Sequence, residues 1–98
     1  MPGLNKIIHA RARLLILTYL ASNVKKKISF NELQKNLGFT SGNLSVQLRK
    51  LEQADYVEIY KTFKENKPYT AVSISTRGYD ALNSYVIEME GIIKALRK

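Results

Sequence analysis

Two short amphipathic segments joined by Gly38-Phe39-Thr40 constrain the fold of this chain more than any other feature. From Phe30 to about Asn36, apolar residues recur at helical spacing, and from Ser41 to Gln53 leucines form a single inward stripe. Glycine tolerates the left-handed conformation that ends a helix, and threonine is a good N-cap for the next one. The pattern therefore predicts two helices joined by a tight turn, which is the helix-turn-helix arrangement.

The rest of the chain predicts a small mixed fold around this pair. An N-terminal helix is expected from Leu4 to Ala21, and a long final helix from 76 to 96. Alternating segments on either side of residues 61–68 predict a β-hairpin whose turn lies at Glu65-Asn66. We therefore expect a single α+β domain over residues 1–98, mostly helical, in the order helix, short helix, helix, hairpin, long helix.

Individual residues indicate where these elements begin and end. Ser29 is placed to cap the short helix, with Glu32 three residues later to complete a capping box. Ser75 or Thr76 is expected to cap the final helix. Asp55 lies just after the second helix of the pair, at a position that often has a positive φ, and aspartate tolerates that conformation better than most residues.

The distribution of charge indicates what the chain binds. Its net charge is +8, and residues 1–50 contain nine basic residues and one acidic residue, whereas residues 51–98 contain seven of each. The whole positive excess therefore lies in the first half. A basic face attracts a polyanion, either nucleic acid or an anionic membrane surface, and the alternative is that the charge serves solubility alone.

Composition excludes several classes of function. The chain has no cysteine and a single histidine, His9, so it lacks disulfides, thiolate metal sites and any histidine cluster for zinc. No glycine-rich phosphate loop or paired-carboxylate motif is present, so we expect neither an enzyme nor a cofactor. The longest apolar run, Leu14 to Ala21, is too short for a bilayer, which needs about 20 residues. The N-terminus has no signal-peptide pattern, so we expect a cytoplasmic protein.

The helix from Ser41 to Gln53 keeps a small, polar and basic face opposite its leucines. Such a face can approach the floor of a DNA groove, where asparagine pairs with adenine and arginine pairs with guanine or a phosphate. The helix N-terminus also favours phosphate. Every amphipathic helix has a polar outer face, so this face alone does not indicate DNA binding. The neighbouring turn and hairpin favour that interpretation. The predicted DNA-binding residues here are Thr40, Ser41, Gly42, Asn43, Ser45, Val46, Arg49 and Lys50.

Three lysines, Lys61, Lys64 and Lys67, surround the tip of the predicted hairpin. If the hairpin lies beside DNA, they contact the phosphate backbone or enter the minor groove, and the alternative is an exposed, soluble loop. Lysine lacks the forked guanidinium of arginine, so phosphate contact is favoured over insertion into the groove.

The final helix carries an apolar seam. Leu82, Val86, Met89, Ile93 and Leu96 are spaced 4, 3, 4 and 3 residues apart. This heptad spacing favours a second helix lying alongside.

Several of these segments resemble the MarR and ArsR families of winged-helix regulators. The run from Leu44 to Glu52, followed by Tyr56-Val57, resembles their recognition-helix signature. Ile74 to Gly78 resembles the strand-to-helix junction that follows their wing, and Arg13 to Leu17 resembles their first-helix pattern. The resemblance covers roughly Arg13 to Leu82.

The likeness is closest to a small archaeal-type winged-helix group of about this chain's length. A helix start such as Thr40-Ser41-Gly42-Asn43-Leu44 and a Lys67-Pro68 wing are typical of that group. The resemblance implies a role in transcriptional regulation and a homodimer formed by the first and last helices, 4–21 and 76–96. The dimer-interface residues that it implies are Ile8, Leu15, Leu82, Val86, Met89, Ile93 and Leu96.

The chain departs from these families at several positions. Gln47 stands where related sequences often have histidine, and Asp55 stands where glycine is common. Lys67 and Tyr69 occupy wing positions that often hold arginines. The metal-binding cysteines of many ArsR-type sensors are absent, so metal sensing is not implied.

Together these features predict a homodimeric transcriptional regulator that binds specific double-stranded DNA. Helix 41–53 is expected in the major groove, with the hairpin at 61–68 on the backbone or in the minor groove. Two alternatives remain open: nonspecific or architectural DNA binding, and a winged helix that binds another protein. A protein partner would favour acidic or bulky apolar residues on the outer helix face, where Asn43, Arg49 and Lys50 lie instead. The sequence also leaves a small-molecule effector open, although no residue pattern indicates one.

Overall fold

Between residues 4 and 97, the part of the chain that the computed structural model describes, four helices surround a three-stranded antiparallel sheet. Residues 1–3 and 98, at the ends of the predicted domain, lie outside this part. The elements are α1 (Arg11–Ala21), β1 (Ile28–Ser29), α2 (Phe30–Leu37), α3 (Ser41–Gln53), β2 (Val57–Lys64), β3 (Lys67–Ile74) and α4 (Thr76–Leu96). The strand order is β1-β3-β2. This architecture confirms the predicted class, a mostly helical α+β fold.

The helix-turn-helix forms where its local signals predict it. The Ser29 hydroxyl accepts a hydrogen bond from the Glu32 backbone N–H at 3.0 Å and caps α2. Gly38 ends that helix in the left-handed conformation, with φ 73°. The Thr40 hydroxyl then caps α3 by accepting from the Asn43 N–H at 3.1 Å. Short-range hydrogen bonds therefore fix the position at which α3 begins.

The Glu32 side chain makes a different contact from the one predicted. Its carboxylate accepts a hydrogen bond at 2.6 Å from the hydroxyl of Tyr19 on α1, rather than completing a capping box. This bond to a carboxylate raises the pKa of Tyr19 above its ordinary value. The contact therefore links α1 to α2.

The N-terminal helix is shorter than predicted, because α1 begins at Arg11 and not at Leu4. The Asn5 side-chain oxygen accepts hydrogen bonds from the backbone N–H groups of Ile7 at 2.9 Å and Ile8 at 3.2 Å, and this segment forms turns.

Ile8 is fully buried in the protomer core, and Leu82 is only 7% exposed. The sequence placed both residues in a dimer interface, but their packing inside the protomer leaves them little or no surface for a partner.

The hairpin has the predicted turn. Glu65 and Asn66 have φ values of 52° and 63°, the pair of positive angles that a two-residue type I′ turn requires. Asp55 likewise has φ 61°, as expected. The strand β1 was not predicted, and it pairs Ile28 with Val72 at the base of the hairpin.

A close junction joins the end of α3 to the start of α4. The Ser75 backbone N–H donates to the Tyr56 carbonyl at 3.0 Å, and the Ser75 hydroxyl donates to the Asp55 carbonyl at 2.6 Å. The same hydroxyl accepts from the Gly78 N–H at 2.9 Å, which makes Ser75 the N-cap of α4. The orientation of α3 is thus tied to that of α4.

Within residues 4–97, each helix is too short or too polar to cross a membrane.

Candidate nucleic-acid interface

The outer face of α3 is open to solvent. Leu44, Leu48 and Leu51 are buried in the core, as their spacing predicted, so the opposite side of the helix faces outward. All the DNA-binding residues predicted on this helix are exposed: Thr40, Ser41, Gly42, Asn43, Ser45, Val46, Arg49 and Lys50. The structure therefore brings them together on one accessible surface.

The N-terminus of α3 offers backbone donors to an anion. The first hydrogen bond within the helix runs from the Leu44 N–H to the Thr40 carbonyl at 3.0 Å. The N–H groups of Ser41 and Gly42 precede it and lie at the positive end of the helix dipole. A Cβ added at Gly42 would meet no protein atom within 4 Å, so packing inside the protomer does not require glycine there. A bare backbone at this point lets a large partner approach closely.

A hydrogen-bonded chain lies beside the outer face and ends on it. The Arg13 guanidinium donates to the Gln47 side-chain oxygen at 2.7 Å, and the Gln47 amide donates to the Asn43 side-chain oxygen at 3.1 Å. The prediction from sequence did not connect these three residues. Arg13 and Gln47 are 34 positions apart in the sequence. The only signal that could have suggested the link is chemical: arginine has donors and no acceptor, so it can pair with the oxygen of a side-chain amide.

The hairpin presents cations on both of its faces. Strand alternation places Lys61 on the face that carries Ile59, while Lys64 and Lys67, a register pair, lie on the other face. The Lys64 ammonium lies 4.3 Å from the centroid of the Tyr69 ring, a cation–π contact that holds it near the tip.

Arg49 of α3 and Lys61 of β2 both line a cleft of about 370 Å³. Ser45 also lines it, and the Glu52 carboxylate is the one acidic group among its lining residues. Two cations from different elements therefore converge on a space between α3 and the hairpin. Such a space suits a strand of phosphates that passes between the two elements.

The apolar seam of α4 becomes more exposed toward the C-terminal end of the helix. Val86 and Ile93 are each 42% exposed, Leu96 is 80% exposed, and Met89 and Leu15 are half-buried. A monomeric soluble protein rarely exposes a continuous row of aliphatic side chains to water.

The fold and the site together define a winged helix, with α3 as the recognition helix and the β2–β3 hairpin as the wing. Residues 12–93 match the family of winged helix DNA-binding domains. The chain belongs to this family, and its function class is that of a DNA-binding protein and not of an enzyme.

One relative and several solved structures match most of this chain. An uncharacterized protein of Methanocaldococcus jannaschii is 32% identical over 84 residues, which are 86% of this chain and 89% of that protein. A transcriptional regulator homologue from Pyrococcus horikoshii is 30% identical, with a TM-score of 0.85 over 92% of this chain and 87% of that one. Staphylococcus aureus MepR in complex with DNA has a TM-score of 0.76 at 16% identity, covering 94% of this chain and 73% of that one, and this shows the fold alone. The predicted likeness to winged-helix regulators is confirmed by the family match and by the Pyrococcus horikoshii regulator homologue.

Proposed function

We propose that this protein is a homodimeric transcriptional regulator that recognises specific sequences in double-stranded DNA. The observation that carries the proposal is the exposed outer face of α3, where small, polar and basic side chains surround the open backbone at Gly42. A protein-binding surface would be expected to carry more large apolar residues at its centre. The proposal includes the cytoplasmic location expected from the sequence.

In the proposed complex, α3 lies in the major groove. Asn43 and Arg49 contact base edges, and the helix N-terminus contacts a phosphate. The wing lies on the backbone, with Lys61 on the side of the cleft and Lys64 and Lys67 on the other face. The structural neighbour bound to DNA, MepR, supports DNA as the partner.

The α4 seam supports a homodimer. Its exposed members Val86, Ile93 and Leu96 follow one heptad stripe, and the same stripe on a second copy can cover them. A two-fold dimer presents two copies of α3 to half-sites about one helical turn apart, roughly 10 base pairs centre to centre.

Selection of bound duplexes from a random-sequence library, followed by salt titration of the recovered sequences, tests the proposal. We expect a palindromic motif that binds at least about a thousandfold more tightly than unrelated duplexes. Recovery of no motif, with strong salt-dependent binding to every duplex, would instead indicate architectural binding.

Arg49→Ala is expected to weaken binding to the selected duplex by about 1–3 kcal/mol and to relax base preference at one position. The reason is that Arg49 is exposed on the outer face of α3, where its guanidinium can reach a base edge. Arg77→Ala, which removes an exposed arginine at the start of α4, is the matched control and should bind normally. Electrophoretic mobility shifts with single-base operator variants measure both effects. Unchanged affinity and base preference in Arg49→Ala would reject α3 as the reading helix.

Lys64→Ala combined with Lys67→Ala is expected to weaken binding to all duplexes alike. If both lysines neutralise phosphates, the slope of log affinity against log salt becomes shallower by about 0.9 for each phosphate that is no longer neutralised. Lys94→Ala with Arg97→Ala removes the same charge at the far end of α4 and should leave the slope nearly unchanged. A slope that stays at the wild-type value in the Lys64 and Lys67 variant means that the wing is not on the backbone.

A further inference from the structure

The hydrogen-bonded chain that runs from Arg13 to the outer face of α3 has a fixed direction. Arg13 is held by its Nε, which donates to the Ile7 carbonyl at 2.6 Å, and its Nη1 donates to the Gln47 Oε1 at 2.7 Å. Gln47 Nε2 donates in turn to Asn43 Oδ1 at 3.1 Å. Arg13 and Gln47 are half-buried, whereas Asn43 is exposed on the outer face. The chain therefore begins inside the protomer and ends at the surface.

The chemistry of Arg13 sets the direction of every later bond. A guanidinium has donors and no acceptor, so Gln47 must turn its oxygen toward Arg13. Its NH₂ group then faces Asn43, which must present its oxygen to receive that bond. The Asn43 NH₂ group is consequently left pointing away from the chain. A symmetric pair of amides without Arg13 could adopt either orientation with equal ease.

We propose that Arg13 and Gln47 are positioning residues that fix the Asn43 amide with its donor outward, so that this position of α3 selects a base that presents an acceptor in the major groove. The proposal rests on the proposed function, since it assumes that Asn43 reaches a base edge. Acceptors there are the N7 of adenine or guanine, the O6 of guanine and the O4 of thymine, whereas the donors are the N4 amino group of cytosine and the N6 amino group of adenine. The second lone pair of Asn43 Oδ1 stays free for the N6 amino group of adenine.

Gln47→Glu tests the proposal because it keeps the shape of the chain and reverses its outer half. The new carboxylate still accepts from Arg13, in a stronger charge-assisted bond. A carboxylate cannot donate, so Asn43 must rotate its amide and give its NH₂ group to position 47. Its oxygen then points outward and accepts from a base donor. We expect binding of cytosine relative to guanine and thymine at this one position to rise about tenfold or more, since guanine and thymine present only acceptors there.

Two controls separate positioning from charge and from structure. Gln53→Glu adds the same charge at the exposed end of α3, outside the hydrogen-bonded chain, and should lower affinity for all duplexes without changing the preferred base. In an Asn43→Ala background, Gln47→Glu should no longer change base preference. Thermal unfolding of each variant confirms that the fold is intact.

Selection from the same random duplex library, carried out with wild type and each variant, provides the readout. A preference shifted at a single position in Gln47→Glu, and absent in the Asn43→Ala background, is the expected result. If wild type and Gln47→Glu recover the same motif, the positioning role is wrong although the proposed function stands. If wild type recovers no motif, the proposed function itself fails, and the positioning role fails with it.

Discussion

Gly78→Ala is expected to destabilise the fold by about 3 kcal/mol or more, at the upper end of the usual cost of overpacking. Gly78 is buried in the first turn of α4, and a Cβ built there would overlap the carbonyl oxygen of Tyr56 and lie 2.8 Å from its carbonyl carbon. These are backbone atoms just beyond the end of α3, so no side-chain rotation can make room. The start of α4 or the Asp55-Tyr56 turn must move instead. Urea denaturation monitored by circular dichroism measures the loss.

Gly91→Ala is the matched control in the same helix. Gly91 is exposed, and a Cβ there would meet nothing within 4 Å. Alanine is a better helix former than glycine by about 1 kcal/mol, so this variant should be more stable than wild type. Both substitutions replace glycine with alanine, yet they should change the free energy of unfolding in opposite directions. A Gly78→Ala protein as stable as wild type would show that α4 does not press against the end of α3.

The helix-turn-helix was predictable because its signals are local. Gly38 and Thr40 act within three or four residues of their own positions, through a left-handed C-cap and an N-cap hydroxyl. The turn at Glu65-Asn66 and the positive φ of Asp55 are local in the same sense. Helical periodicity then predicted the buried and exposed faces of α3, and with them the exposed residues that we expect to bind DNA.

The features that were missed or misplaced depend on contacts distant in sequence or on competition between local bonds. Periodicity extended the first helix to Leu4, but Asn5 uses its side chain to close a turn and Ile8 enters the core. The two-residue strand β1 exists only through its pairing with β3, more than 40 positions along the chain, and has no periodicity of its own. Gln47 could be noted only as a departure from a family pattern, because its partner Arg13 lies on another helix.

Burial also separates the predicted dimer-interface residues into buried and exposed ones, which their spacing in the sequence could not do. The heptad pattern includes Leu82 and Val86 alike, yet Leu82 is buried in the core and Val86 is exposed. The seam available to a partner therefore starts at Val86. This result decides which substitutions can test dimerisation without damaging the core of the protomer.

Val86→Glu combined with Ile93→Glu is expected to convert a dimer into a monomer. Both side chains lie on the seam and are 42% exposed in the protomer, so glutamate can replace them without entering its core. In a two-fold dimer the substitutions bury four carboxylates without partners, and even one uncompensated buried charge costs about 3 kcal/mol. We therefore expect the dimer dissociation constant to rise at least about a hundredfold. Sedimentation velocity at micromolar concentration measures the change.

Ser84→Glu with Gly91→Glu provides the control. These positions are also seven residues apart on α4, both are exposed, and they lie on the face opposite the seam. The control adds the same charge to the same helix, so general repulsion between copies would affect both variants equally. We expect only the seam variant to become monomeric. If it remains a dimer, the seam is not the interface, and the helices that pair must be sought elsewhere on the chain.

DNA binding by the seam variant separates assembly from recognition. Its α3 and wing are unchanged, so each monomer should still bind a duplex that contains a single half-site. A wild-type dimer binds a palindrome much more tightly than a single half-site, because the second contact is made within one assembly at high effective concentration. For the monomeric variant this advantage should fall to about twofold, the statistical factor for two independent sites. A seam variant that is monomeric in solution yet keeps the wild-type preference for the palindrome would show that the two copies assemble on DNA through contacts outside α4.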